Sequence, residues 1–480
     1  MVAVLPFLTT ILLATGKSPR KTKKPLGRYE EKRSTGRKRY NRDGAKRKKG
    51  SRNDIPTKQV VVDPLPRITK NLEDEPLPYY YTCRHTYENT LIDEIHRFAS
   101  LNDCEGKVLA STPYPGLVRV EEKEEGCIPH YYDPIYALQA MPKSVVCSAE
   151  SIKGLAKEIL FELFGDGDSD EDENTQTGDS DSKKIRKELL LKAEKGSLII
   201  HALVPGMIKG STAPPMMRRS IKVGEEISKI MKKTYKAARK NNEETEHISE
   251  RWLLQIMLQS NEIAVASLVK TKQIGPGKTA FWPNSQFPLG LAKVDIEEKM
   301  PSSAYRKLSE GLACMQLQPS QNELACDLGA SPGGWTSILR KFGTSVISID
   351  RSELDPVLMR DDKVQFLKGD AFAFEPESVV DWMVSDVIAY PEKTIEMLDF
   401  WCSNKLAKNM IVTMKFQGHE PALDELDRCV QTVRQHSYSC RVKHFFNNKN
   451  EVTFMVSQKV LVDNEASHGI VNTPMFQPIN

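Results

Sequence analysis

Apolar residues recur along this chain in two rhythms, one near every second position and one near every third or fourth. Residues 1–75 show neither, since charged residues, Pro and Gly break every later apolar run, and the segment reads as a disordered tail. From Tyr79 the pattern becomes globular. Tyr79-Tyr80-Tyr81 and Gly116-Leu117-Val118-Arg119-Val120 alternate with an amphipathic run over 91–98, and the spacing predicts a helix over 151–164. These elements predict an N-terminal α+β domain at 76–164. Gly, Asp, Glu and Ser then interrupt the pattern, which predicts an acidic flexible insert at 165–185. Within 186–275 the prediction is a strand at 197–203, a helix over about 224–240, and strands at 252–258 and 263–269. Lys229, Lys232, Lys233, Lys236 and Lys240 share helical spacings there, while Ile227, Ile230, Met231 and Tyr235 can face a sheet. A β-α-β-β segment with a basic helix suits a small RNA-binding module; an ordinary α+β domain with a solvated lysine face fits the same pattern.

From 276 to 460 strands and helices alternate. The strands are predicted at 324–327, 345–350, 364–368, 382–387, 409–415, 440–446 and 451–457, the helices at 335–341, 392–402 and 420–435. Alternation of this kind predicts an α/β, doubly wound, Rossmann-like sheet that binds ligands at the carboxyl ends of its strands. Asn447-Asn448-Lys449-Asn450 reads as the turn of a terminal antiparallel pair. Residues 461–480 read as a C-terminal tail.

Charge sharpens this division. The net charge is only +4, yet residues 17–52 hold 17 Lys/Arg against 3 acids, and 166–181 hold 8 acids and no base. Nine scattered cysteines without a Cys-x-x-Cys pair suggest neither a zinc cluster nor a disulfide framework, so a reducing compartment is expected. No apolar stretch is long enough to span a membrane, and no membrane partner is expected. The apolar run at 2–14 ahead of an acid-poor basic region fits plastid or mitochondrial targeting. Lys46-Arg47-Lys48-Lys49 fits a nuclear or nucleolar tail equally well, and a solvated arm that strengthens RNA affinity is the third reading.

The candidate chemistry centres on Gly329-Ala330-Ser331-Pro332-Gly333-Gly334-Trp335, between a buried strand and a helix start. Glycine lets backbone press against a ligand there. The spacing Gly-x-x-x-Gly-Gly is not that of a dinucleotide loop, which argues against a nucleotide-dependent oxidoreductase. Asp327 at the strand end repels pyrophosphate and suits a cationic amino group, as in S-adenosylmethionine. Asp350, Asp370 and Asp386 recur at successive strand ends. Asp350 can accept both ribose hydroxyls of an adenosine, and Asp370 the adenine amino group. Lys415 also ends a strand. Burial and neighbouring positive charge lower a lysine pKa, and a neutral lysine is a competent general base. With Lys307 and Glu451 it would complete a Lys-Asp-Lys-Glu set suited to removing a proton from a ribose hydroxyl as the oxygen attacks a methyl group in line. No metal is expected, because a sulfonium already activates the methyl.

The string from Asp327 to Trp335, with Asp386, Lys415 and Glu451, resembles the FtsJ-type ribose 2′-O-methyltransferases. The similarity runs over about 284–456 and includes Asn284-Ser285-Gln286-Phe287-Pro288-Leu289-Gly290, Pro301-Ser302-Ser303-Ala304-Tyr305-Arg306-Lys307-Leu308, 381–391 and Asn450-Glu451-Val452-Thr453. The resemblance implies S-adenosylmethionine contacts at Ser331, Pro332, Gly333, Gly334, Trp335, Asp350, Asp370 and Asp386. It implies catalysis by Lys307, Asp386, Lys415 and Glu451, with proton abstraction by Lys415. It further implies a THUMP-like RNA-binding region upstream, and ribosomal RNA of the large subunit as substrate or pre-ribosomal particle as partner. A monomer is expected. The chain departs from the family at Ala304, where a cofactor-site serine is usual, and at Phe416-Gln417-Gly418, where the family is more basic. A messenger RNA cap is a rival substrate, and a non-catalytic ribosome-assembly factor a rival class. Retention of all four catalytic residues argues against the latter.

Overall fold

The computed structural model describes residues 77–129, 132–164, 198–204, 215–240, 251–275, 278–280, 287–292, 294, 297–418 and 421–458. The basic tail, the acidic insert, Asn284-Ser285-Gln286 and the C-terminal tail lie outside the described residues, as do the side chains of Lys236 and Lys240.

Aromatic and β-branched residues near the start of the described chain build a four-stranded antiparallel sheet. β1 (Tyr79–Cys83) lies between β3 (Leu117–Glu122) and β4 (Ala137–Met141), and β2 (Val108–Tyr114) borders β3. Helix α1 (Glu88–Leu101) buries Leu91, Ile95 and Phe98, the helical spacing of one apolar face. A second sheet has the order β5 (Val145–Ser148), β8 (Ile263–Gly275), β7 (Arg251–Leu258), β6 (Leu198–Leu203), with β9 (Lys278–Ala280) on β8. Helices α2 (Ile152–Phe164) and α3 (Pro215–Lys240) pack Leu155, Ile159, Val223 and Ile227 into its core with Leu254, Ile256 and Ala266.

Two features of these modules differ from the pattern read along the chain. The sequence places residues 145–164 with the first module, but Val145 pairs with Ala266 and α2 packs into the second core. The division therefore falls between Met141 and Val145, and the second module contains residues on both sides of the acidic insert. Such a pairing joins distant residues, and local periodicity carries no signal of it. Helix α3 begins at Pro215 rather than near Gly224. Gly224 is not a helix start but a point of close approach, because a Cβ there would meet Ile200 Cγ2 at 3.2 Å.

The third sheet is the doubly wound one. Its order is β12 (Val364–Lys368), β11 (Ser345–Asp350), β10 (Leu324–Leu328), β13 (Val380–Ser385), β14 (Ala407–Lys415), β16 (Glu451–Ser457), β15 (Ser439–Lys443). The first five are parallel; β16 runs antiparallel to β14 and to β15. Alternation along the strands feeds two cores. Ala325, Trp382, Val384, Ile411 and Met455 meet helices α4 (Tyr305–Met315) and α5 (Gly334–Lys341) on one face. Cys326, Met383, Met410, Val412 and Phe454 meet α6 (Pro391–Ser403) and α7 (Leu423–Gln435) on the other. The apolar pattern predicts no helix at 305–315, yet α4 forms there and carries Lys307. β15 also stops at Lys443 instead of running to 446, and a seven-residue loop over 444–450 follows.

The first module docks on the outer strand of this sheet. Asp133 pairs with Arg441 at 2.8 Å and with Lys443, all three buried. Lys443 Nζ also donates to the carbonyls of Pro134 and Ala137 at 2.7 and 2.9 Å. Among the described residues no helix is long and apolar enough to cross a membrane. The nine cysteines are free thiols.

Candidate active site

Strand register brings the candidate residues together. Asp386 follows the last residue of β13, Lys415 is the last of β14, and antiparallel pairing sets Glu451, the first of β16, directly opposite Lys415. Lys307, in the first turn of α4, reaches across the strand ends. Its Nζ lies 2.6 Å from Asp386 Oδ1 and 3.0 Å from Glu451 Oε1. Lys415 Nζ donates to the Asp386 carbonyl at 2.6 Å and lies 3.2 Å from Asp386 Oδ1. The four side chains are 7–17% exposed, so their charges interact with little screening. Thr413 donates to Asp386 Oδ1 at 2.6 Å. Thr413 was not singled out in the sequence, although it lies two residues before Lys415 and so shares its face of the strand.

A cavity of about 460 Å³ opens beside this cluster. Its lining includes Gly329, Ser331, Pro332, Gly334, Trp335, Asp350, Asp370, Asp386 and Lys415. Of the sequence-predicted residues, Gly333 does not line it. Gly333 instead holds the turn open at φ +107°, where a Cβ would strike Leu358. Lys307 sits behind the wall and touches it through Asp386, and Glu451 sits behind Lys307. Trp335 is nearly buried, and its indole N–H donates to the Ala304 carbonyl at 2.8 Å, so it ties the loop to the segment before α4. Ser302, next to that segment, lines the cavity while Ala304 offers only backbone and methyl.

The acids differ in state. Asp350 accepts from the backbone N–H of Ser331 at 3.0 Å and of Ser352 at 2.8 Å, one on each oxygen. Each oxygen keeps a second acceptor site for a vicinal diol. Asp370 accepts from the Phe372 N–H at 3.0 Å and pairs with Arg351 at 2.7 Å; these hold its carboxyl below the usual range. Asp327 departs from the sequence reading. It lines the cavity but is buried and accepts from Thr336 Oγ1 at 2.6 Å. Burial pushes its carboxyl up to about 7 against the Thr336 hydrogen bonds, so it is not the fixed anion that the strand-end position suggests.

The donor set fits S-adenosylmethionine. Acceptors at Asp350 and Asp370 match a ribose diol and an amino group, and a Gly-rich turn lets backbone approach. This loop and acid series lie at the carboxyl ends of a doubly wound sheet with an antiparallel strand inserted near its end. Residues 300–446 match the FtsJ-like methyltransferase family, and the resemblance read from the sequence holds over that region. The chain is 30% identical over 183 residues to Ribosomal RNA large subunit methyltransferase M of Pseudoalteromonas atlantica, covering 35% of this chain and 51% of the relative. It is 31% identical over 174 residues to the protein of the same name from Halorhodospira halophila, covering 36% and 51%. The chain thus spans about half the length of these curated relatives. Among solved structures, the magnesium protoporphyrin IX methyltransferase of Synechocystis PCC 6803 with bound SAM is similar over 32% of this chain and 78% of its own, at 16% identity and a TM-score of 0.26.

Proposed function

We propose that this protein is an S-adenosylmethionine-dependent RNA methyltransferase that modifies the ribose 2′-oxygen, with large-subunit ribosomal RNA as substrate. The observation that carries the reading is the convergence of Lys307, Asp386, Lys415 and Glu451 at one end of the cavity. The relatives' names favour ribosomal RNA over a messenger RNA cap. When bound, the cofactor supplies a methyl group already activated by its sulfonium. Asp350 would hold its ribose, Asp370 its adenine amino group, and the turn around Ser331 and Gly334 its amino acid end.

Lys415 is the general base. As a free amine its two N–H donors are taken by the carbonyl and carboxylate of Asp386, which leaves the nitrogen lone pair for the hydroxyl proton. Asp386 is itself fixed by Lys307 and Thr413, and Glu451 fixes Lys307 from the far side. Asp386 thus orients the base, and Glu451 balances the second lysine. The basic face of α3, with Lys232 and Lys233 exposed, would contact phosphates as part of a THUMP-like module.

Two measurements test the reading. Calorimetry is expected to show S-adenosylmethionine binding without added nucleotide; tight NAD binding in its place contradicts it. Mapping ribose methylation across ribosomal RNA in cells with and without the protein is expected to show loss of a site in the large subunit. An unchanged map contradicts the substrate.

A further inference from the structure

The 444–450 loop, which leads directly into Glu451, is gripped by the first module. Tyr87 Oη donates to the Lys449 carbonyl at 2.9 Å, and Arg84 donates to the Asn448 carbonyl. His444 lies against the Tyr87 ring, with centroids 4.0 Å apart. Its Nε2 is 2.9 Å from the same Lys449 carbonyl, and its backbone N–H donates to Ile135 O at 2.9 Å. Burial drives the His444 imidazole down to about 3, so it stays neutral at physiological pH and acts as a packed donor. Inside the loop, Asn448 Oδ1 accepts from the Phe445 N–H at 2.7 Å, and Glu310 of α4 accepts from the Asn447 N–H at 3.0 Å. The loop therefore touches the helix that carries Lys307 at one point and the strand that carries Glu451 at another. The Asn450 carbonyl also accepts from the Phe416 N–H at 3.1 Å, next to Lys415.

We propose that Arg84 and Tyr87 are positioning residues for methyl transfer: the first module holds the 444–450 loop, and the loop sets Glu451 and with it Lys307. This rests on the reading of those four residues as the methyl-transfer site. Neither Arg84 nor Tyr87 lines the cavity, so their effect falls on turnover and not on cofactor binding. A 2′-hydroxyl must meet the base within a few tenths of an ångström, and a loosened Glu451 frees Lys307 to pull Asp386 away from Lys415. The first module then does more than add stability. Its attachment is a condition of the catalytic geometry.

The test uses the full chain and begins with Tyr87→Phe, which keeps the ring on His444 and removes only the hydroxyl donor. Single-turnover methylation is expected to slow about 2- to 10-fold, the size of one net hydrogen bond. KM for RNA and affinity for S-adenosylmethionine are expected to stay unchanged. Amide exchange over 444–450 is expected to quicken, while that of the 329–335 loop does not. Arg84→Lys, which keeps a cationic N–H donor, is expected to lose less rate than Arg84→Ala. The decisive step is a double-mutant cycle: in a Glu451→Gln background, Tyr87→Phe is expected to add less than about twofold, because residues acting through one another are not additive. A native rate for Tyr87→Phe, or an undiminished effect in the Glu451→Gln background, overturns the proposal while leaving the site reading intact. A native rate for Glu451→Gln overturns the site reading itself, and this proposal with it.

Discussion

At the scale of single residues, the site separates acids that hold from acids that yield. Asp350 has a backbone donor on each oxygen, and its free acceptor positions face the cavity. Asp350→Ala is expected to remove two charge-assisted hydrogen bonds to a ribose diol, each worth about 1.5–3 kcal/mol, and to loosen the Ser331 turn. Calorimetry should then show S-adenosylmethionine affinity falling by at least about 100-fold, with the fold unaffected. Asp327 and Glu310 behave differently, since burial raises both carboxyls to about 7. Their folded pKa lies above the unfolded one, so between about 4 and 7 the folded chain holds protons that the unfolded chain has released. Stability carried by these protons is present below pH 4 and declines as pH rises through 7. Urea titrations at several pH values are expected to show this slope, and Glu310→Gln is expected to flatten part of it.

At the scale of elements, the five parallel strands of the doubly wound sheet were legible because they are short runs rich in apolar residues, with an acid, a lysine or a glycine at or just past the end. Asp350, Asp370, Asp386 and Lys415 stood out for the same reason, since strand ends in such a sheet define the binding edge. Helix α4 was not. Its buried set includes Lys307 and Glu310 among Tyr305, Leu308 and Leu312, so charged residues sit where an apolar stripe would be read. Residues 444–446 read as strand because Phe445 and Phe446 favour extended structure, whereas side-chain acceptors at Asn448 and Glu310 take up the backbone donors there instead; the turn read at 447–450 falls inside the same loop. Thr413 hid inside an apolar strand because only the fold shows Asp386 beside it. On α3, the exposed Lys232 and Lys233 belong to a continuous helix that starts well before the basic run. Replacing both with Gln is expected to weaken RNA binding and lower its salt slope by about 2, without changing cofactor affinity. Filter binding across a salt series checks this, and an unchanged slope would leave the helix face merely solvated.

At the scale of the molecule, the modules are bound by contacts that no local pattern announces. Asp133 lies between Arg441 and Lys443 in a buried cluster, and Gln139 of the first module donates to Gln255 of the second at 2.5 Å. Residues more than three hundred positions apart are thus each other's counter-ions. Asp133→Ala would leave two buried cations without their carboxylate, a change expected to cost about 3–5 kcal/mol. Chemical denaturation is expected to show that loss, and a loss under 1 kcal/mol would mean water enters the cluster. The same interface carries the grip on the 444–450 loop, which leads into Glu451.

The central claim is that Lys415 takes the proton from a ribose 2′-hydroxyl, and Lys415→Arg tests it most directly. Arginine keeps the charge but does not release a proton near neutral pH. Single-turnover methyl transfer to unmodified large-subunit ribosomal RNA, with the product assayed for resistance to alkaline cleavage, reads both the base and the atom modified. The native chain is expected to yield an alkali-resistant link, and Lys415→Arg to bind cofactor and RNA normally while turning over about 100- to 10,000-fold more slowly. A near-native rate for Lys415→Arg, or a methyl group found on a base, would contradict the account.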